Sequence, residues 1–168
     1  MEKDNFFVRT EIEQDVRRVA ELLGTGVFEA PVLRVFQESV FTELIIRLND
    51  LMQKLKQLGK RISFTDDVGS VGDITDLINK IRNAVCHIES GEHLLDKEQK
   101  VKFTFNVAYG KANVALINGK QVTSDYEDDI CFFFGEHKIY LKRHIIRALQ
   151  EAQEKYKELY GPGSNPSG

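Results

Sequence analysis

The stretch PVLRVFQESVFTELIIRLNDLMQKLKQL, residues 31–58, decides which fold the sequence predicts. Proline stands at its first position, where a helix tolerates it. Apolar residues then recur at helical spacing and form one wide stripe: Leu33, Phe36, Val40, Leu44, Leu48, Leu51, Leu55 and Leu58, widened by Val32, Phe41, Ile45 and Met52. A helix that is apolar over so much of its surface must be covered on more than one side. The stretch therefore predicts a long central helix inside a helical bundle.

Three further segments are predicted to be helices around this one. The first spans residues 10–23, where Thr10 and Glu13 have the spacing of a capping box. The third follows a loop of about 15 residues, begins after the N-cap residue Asp73, and carries an apolar stripe from Ile74 to Ile88. The last spans about residues 141–160.

The segment between the third and the last helix has the pattern of β-strands. Residues 101–122, VKFTFNVAYGKANVALINGKQV, alternate and contain Asn118-Gly119, a tight-turn signal. Residues 128–141, DDICFFFGEHKIYL, indicate a second hairpin around Gly135. Phe132, Phe133 and Phe134 indicate a β core, the alternative being a base-stacking platform, and in a regular strand one of them points to the outer face. The sequence thus predicts a mainly α fold: a four-helix up-and-down bundle with a small antiparallel β insert, about residues 101–140, before the last helix.

The composition is that of a soluble globular protein of one domain. The 168 residues are 42% hydrophobic and 29% charged, and no apolar run is long enough to span a membrane. The N-terminus lacks the layout of a signal peptide, and Cys86 and Cys131 fit no zinc or redox spacing. We therefore expect reduced thiols and a cytoplasmic location. The net charge of −3 excludes a uniformly basic surface but allows a local basic patch.

Residues 78–90, INKIRNAVCHIES, place an arginine, an asparagine and a histidine on one predicted helix. At about 100° per residue, with the core stripe at 0°, Arg82 falls near 80°, Asn83 near 180° and His87 near −140°. Arginine grips phosphate and histidine moves protons near neutral pH, so the pair suits metal-free cleavage of RNA through its own 2′-hydroxyl. The alternative is a solvated helix face with a histidine that the helix dipole favours.

At these residues the sequence resembles the HEPN superfamily, whose mark is an arginine followed, after four to six residues, by a histidine, commonly with a polar residue after the arginine. Here the motif is Arg82-Asn83-Ala84-Val85-Cys86-His87. The resemblance covers about residues 10–90 and 141–160. It implies a single HEPN-like domain over residues 1–160, and residues 161–168 are expected to be a disordered tail.

The resemblance also implies an activity and partners. HEPN proteins of this kind are metal-independent endoribonucleases without a cofactor, often toxins or abortive-infection effectors in phage defence. Arg82 and His87 would be catalytic, and Asn83 would orient the phosphate or the histidine. A homodimer would join the motifs of both protomers in one cleft, and an antitoxin or regulatory protein could control it. The alternative is a non-catalytic HEPN-like binding or dimerisation module in a defence or regulatory system.

A cluster of cations is a further candidate for RNA binding. Lys138, Lys142, Arg143 and Arg147 lie within ten residues that contain no acid, which indicates either an RNA-backbone patch or an ordinary solvated surface. Lys80 lies on the motif face of the third helix and could join such a patch. No histidine spacing indicates a metal site, which would need three or four converging ligands.

The homodimer is expected to pack helices two and three against their copies, because helix two is so widely apolar.

Overall fold

The structure, a computed structural model, describes residues 2–87, 94–96, 101–102, 104–117 and 119–161. Within these residues the helices are α1 (Glu2–Gly24), α2 (Arg34–Gln57), α3 (Ile74–Cys86) and α4 (Arg147–Tyr160). A 3-10 turn, Pro31–Leu33, leads into α2, and a π-helix, Leu141–Ile146, leads into α4. The strands are β1 (Leu94–Asp96), β2 (Val101–Lys102), β3 (Asn106–Tyr109), β4 (Ala112–Ile117), β5 (Lys120–Ser124), β6 (Ile130–Phe134) and β7 (His137–Tyr140).

The central and last helices lie where the sequence predicted them, and the first is longer. α1 begins at Glu2, well before the predicted start. The predicted capping box is wrong, because Thr10 lies inside the helix and its hydroxyl donates to the Phe6 carbonyl one turn earlier at 2.9 Å. The predicted N-cap of α3 is confirmed: the Asp73 side chain accepts the Asp76 N–H at 3.0 Å. None of the described helices is long and apolar enough to cross a membrane.

The third helix ends earlier than the sequence predicted. α3 stops at Cys86, and His87 is its C-cap residue with φ −126° and ψ 95°. The predicted continuation through Ile88 to Ser90 lies outside the described residues. His87 therefore lies just beyond the helix and not in its middle.

The prediction of a helical bundle with a small β insert is wrong, because the strands form a layer of the fold. β6 lies at the centre of a three-stranded antiparallel sheet, ordered β3-β6-β7, and every residue of β6 is buried. Phe132 and Phe134 pack into the core with the helices, while Phe133 packs on the opposite face with Tyr140. The fold is thus α+β. The prediction that the three phenylalanines belong to a β core is confirmed. Phe133 points to the face opposite the helices, as a regular strand requires, but that face is buried as well.

Two hairpins follow the predicted turns. β6 and β7 pair with Phe134 opposite His137, and Gly135 between them has φ 54°, a value that glycine adopts without strain. β4 and β5 pair with Ile117 opposite Lys120, while Asn118 lies outside the described residues. A third pair, β1 with β2, is short.

The sheet covers the central helix through a cluster of aromatic rings. The ring centroid of Phe41 on α2 lies 4.6 Å from that of Phe132, 5.3 Å from Phe134 and 5.5 Å from Phe105. Such pairs add about 0.5–1.5 kcal/mol each beyond the area that they bury. The remaining sides of α2 pack on α1, α3 and α4. The wide apolar surface of α2 is therefore covered mainly within the chain, which corrects the argument that it needs a second copy.

Apolar side chains remain exposed at the start of α2. Val32, Val35 and Phe36 are 87%, 79% and 57% exposed. Neighbouring apolar residues that stay in contact with water often mark an interaction surface.

The start of the last helical segment is held by a buried carboxylate. The Asp129 side chain is fully buried. Its oxygens accept the backbone N–H groups of Ile130 at 2.8 Å, Lys142 at 2.9 Å and Arg143 at 3.1 Å, and the Arg143 guanidinium donates to it at 3.0 Å. A carboxylate at this position satisfies N–H groups that lack a partner within the helix.

A buried histidine connects the same segment to the loop before α3. His144 Nδ1 accepts the Tyr140 N–H at 3.1 Å, and Nε2 lies 2.8 Å from the Asp66 carbonyl oxygen. Since a carbonyl only accepts, Nε2 carries the proton and the ring is neutral. Burial lowers the pKa of His144 below its usual value of 6.5.

This histidine predicts how stability depends on pH. Below pH 6.5 the unfolded chain takes up a proton at His144 that the folded chain, with its lower pKa, does not bind. The free energy of unfolding should therefore fall as the pH falls below 6.5, by at most about 1.4 kcal/mol per pH unit for this proton. Urea denaturation from pH 7.5 to 5 measures the slope. His144→Asn should be less stable with a shallower slope, and parallel curves for the two proteins would contradict the assignment.

Candidate active site

The arginine, the asparagine and the histidine of the motif are in contact at the end of α3. Arg82 Nη1 donates to Asn83 Oδ1 at 3.2 Å and lies 3.3 Å from His87 Nε2. Ile78 and Ile81 anchor the helix in the core, and the His87 N–H closes its last turn on the Asn83 carbonyl at 2.9 Å. Because the backbone turns away from the helix at His87, the imidazole lies against the guanidinium.

This contact assigns the hydrogen-bond role of His87 Nε2. A guanidinium carries only donors, so Nε2 is the acceptor for Arg82 Nη1. His87 is exposed, whereas Arg82 and Asn83 are half-buried. The site thus presents an exposed imidazole to solvent beside a partly sheltered positive charge.

Arg82 carries that charge without a carboxylate partner among the described residues. Its Nε is buried and has no hydrogen-bond partner there either. Of the other arginines, Arg34 is exposed and each of the rest pairs with a carboxylate: Arg9, Arg17, Arg18, Arg47, Arg61, Arg143 and Arg147. Partly burying an unpaired charge costs free energy that a bound anion would offset.

A cavity of about 200 Å³ lies beside the last turn of α3. Ala84 and Val85 line it from α3, Glu38 and Thr42 from α2, and Phe105 from the start of the sheet. None of these residues was predicted from the sequence to belong to the site. Glu38 and Thr42 are four positions apart and share one face of α2, but nothing in the sequence places that face against the end of α3.

The cations of the predicted basic patch each have a negatively charged or carbonyl partner. Lys138 pairs with Asp125, Lys142 donates to the Asp128 carbonyl, Arg143 pairs with Asp128 and Asp129, and Arg147 pairs with Asp66 and Glu151. The four cations lie on β7, the π-helix and α4, while the motif lies on α3. Lys80 is half-buried on α3, two residues before the arginine.

A larger cleft, about 340 Å³, lies at the other end of α3. Leu77 lines it from the helix, Asp67 from the preceding loop, and His137 and Lys138 from β7. Of the predicted site residues only Lys138 lines this cleft. The cleft is therefore not formed by the motif.

Both cysteines are free, and they differ in exposure. Cys86 is exposed, whereas burial raises the pKa of the Cys131 thiol to about 12, so that this thiol stays protonated at neutral pH. Within the described part of the chain, no group of three or more His, Cys, Asp or Glu side chains is arranged to hold a metal ion.

No protein-family model, curated protein or solved structure matches the chain. The resemblance to the HEPN superfamily therefore rests on the residues of this chain and is carried forward as a hypothesis.

Proposed function

We propose that the protein is a metal-independent endoribonuclease of HEPN type that acts in the cytoplasm, as a toxin or phage-defence effector. The observation that carries the proposal is the half-buried Arg82, which lacks a carboxylate partner among the described residues and whose Nη1 lies 3.3 Å from His87 Nε2. An unpaired guanidinium is suited to hold a phosphate, and a neutral imidazole is suited to take a proton beside it.

In this mechanism the RNA cuts itself with help from the two side chains. The incoming phosphate draws the Arg82 fork toward its oxygens and frees His87 Nε2. Nε2 takes the proton of the 2′-hydroxyl, whose oxygen attacks phosphorus while the bond to the 5′-oxygen breaks. The products are a 2′,3′-cyclic phosphate and a 5′-hydroxyl. Arg82 stabilises the negative charge that grows on the phosphate, and Asn83 holds the guanidinium in place.

The leaving 5′-oxygen needs a proton, which a second copy of the chain can supply. In a two-fold homodimer that brings α2 and α3 against their copies, the protonated imidazole of His87 from the second copy donates that proton. The His87 that took the 2′-hydroxyl proton ends protonated, so the two histidines exchange the roles of base and acid. The exposed Val32, Val35 and Phe36 at the start of α2 give such an interface an apolar part.

Light scattering at micromolar concentration should give twice the chain mass. A strict monomer would exclude the composite site.

Metal independence is the first test of the proposal. RNA cleavage by the purified protein should persist in excess chelator, because Arg82 and His87 supply the charge stabilisation and the proton transfer that a metal ion would otherwise supply. Rates measured with and without EDTA should agree. Loss of activity in EDTA with recovery in magnesium would contradict the mechanism.

A second function is consistent with the same contacts. Arg82 already contacts Asn83 and His87 without any ligand. Such a set of contacts is also consistent with a non-catalytic binding or dimerisation module that an antitoxin or regulatory protein controls. RNA binding without cleavage would favour this alternative.

A further inference from the structure

The cavity beside the motif combines an apolar floor with a polar edge. Val85, Ala84, Phe105 and Phe134 form the apolar part. Glu38, an exposed carboxylate, stands at the edge and forms no ion pair with another described residue. The Thr42 hydroxyl, one helical turn later, donates to the backbone carbonyl of Glu38 at 2.8 Å, and this bond fixes the Thr42 side chain.

Helix geometry places this cavity next to Arg82. Val85 is three residues after Arg82, and side chains at this spacing on a helix have Cβ atoms about 5–6 Å apart. His87 follows two residues later, where the chain leaves α3. A phosphate on Arg82 would therefore lie beside the cavity, within the reach of one nucleotide.

We infer that the cavity is a nucleobase subsite that accepts guanine on the nucleotide whose 2′-hydroxyl attacks. The inference rests on the proposed ribonuclease function and adds a sequence preference to it. The base stacks on Phe105, as unpaired RNA bases stack on aromatic side chains. Lys102, which also lines the cavity, contributes positive charge for a neighbouring phosphate.

The chemistry of Glu38 selects the base. A carboxylate only accepts hydrogen bonds, and its two oxygens match two donors that lie side by side. The Watson–Crick edge of guanine offers such a pair, N1–H and the 2-amino group. Adenine and cytosine present one amino group beside an acceptor, and uracil presents one N–H between two carbonyls. Each of these three bases would leave an acceptor facing the carboxylate.

The test uses four short RNAs that differ only in the base 5′ to the cut. Wild-type protein should cleave the guanine RNA with a kcat/KM roughly 5- to 150-fold above the others, the discrimination expected of a two-bond contact to a base. Glu38→Gln should remove most of that preference, because its amide places a donor where guanine also presents one. Glu43→Gln is the matched control, since Glu43 lies on the same helix but pairs with Arg18.

Two results would overturn the inference. If the wild type cuts all four RNAs equally, or if Glu38→Gln keeps the full guanine preference, the cavity does not bind the base. The ribonuclease proposal still stands in both cases provided that cleavage depends on Arg82. If no RNA is cut, the function fails, and the subsite fails with it.

Discussion

Replacing Arg82 or His87 by alanine is expected to reduce RNA cleavage by about 10²- to 10⁴-fold. The loss of Arg82 removes the positive charge that stabilises the developing phosphate charge, and the loss of His87 removes the proton acceptor. Both variants should remain folded, because neither side chain belongs to the core. Initial cleavage rates with a labelled RNA, together with thermal unfolding of each variant, measure the two effects separately.

Two controls distinguish a catalytic face from a structural one. Arg17→Ala removes an arginine on α1 whose side chain is 73% exposed and lies 3.8 Å from Glu21, and it should leave cleavage unchanged. Ile81→Ala removes a fully buried side chain one residue before Arg82 and should destabilise the fold by about 2–5 kcal/mol, with little effect on the activity of the folded fraction. If the Arg82 and His87 variants cleave as fast as wild type, the motif has no catalytic role.

Asp129→Ala is expected to cost about 3–5 kcal/mol of stability, the range for breaking a buried ion pair. The variant leaves the N–H groups of Ile130, Lys142 and Arg143 without their acceptor, and the Arg143 guanidinium loses one of its carboxylates. Urea denaturation at pH 7 measures the change.

Asp129→Asn gives the intermediate case. It keeps one acceptor oxygen but loses the charge, so its loss of stability should be smaller. Cleavage per folded molecule should be unchanged in both variants, because Asp129 lies before β6 and not at the motif. If Asp129→Ala unfolds at the same urea concentration as the wild type, the carboxylate does not stabilise the start of this helical segment.

The parts of the fold that depend on local pattern were predictable from the sequence. The Asp73 cap, the Gly135 turn and the part of the α2 stripe from Phe41 to Leu55 follow from local pattern, and the structure agrees with them. Val32 and Phe36 at the start of that stripe and Leu58 at its end are exposed instead. The role of β6 was not predicted, because the run ICFFF does not tell which elements will cover its two faces. The start of α1 was misplaced because Thr10 can either cap a helix or bond to a carbonyl one turn earlier, and it does the latter.

The candidate site was also only partly predictable from the sequence. The spacing of Arg82 and His87 suggested a pair, yet on a continuous helix residues five apart point about 140° away from each other. They meet because α3 ends at Cys86 and the backbone of His87 is extended. The carboxylate-lined cavity beside them joins α2, α3 and the sheet, and such long-range proximity is not contained in any local pattern.

In the proposed mechanism the 2′-hydroxyl of RNA is the nucleophile, and Arg82 and His87 assist its attack. This is tested by comparing an RNA with the same RNA that carries a single 2′-deoxy residue 5′ to the cut, in excess chelator. We expect the all-ribose RNA to be cut to a 2′,3′-cyclic phosphate and a 5′-hydroxyl, and the 2′-deoxy substrate not to be cut at that position. Cleavage of the 2′-deoxy substrate, or products that end in a 5′-phosphate, would contradict the mechanism.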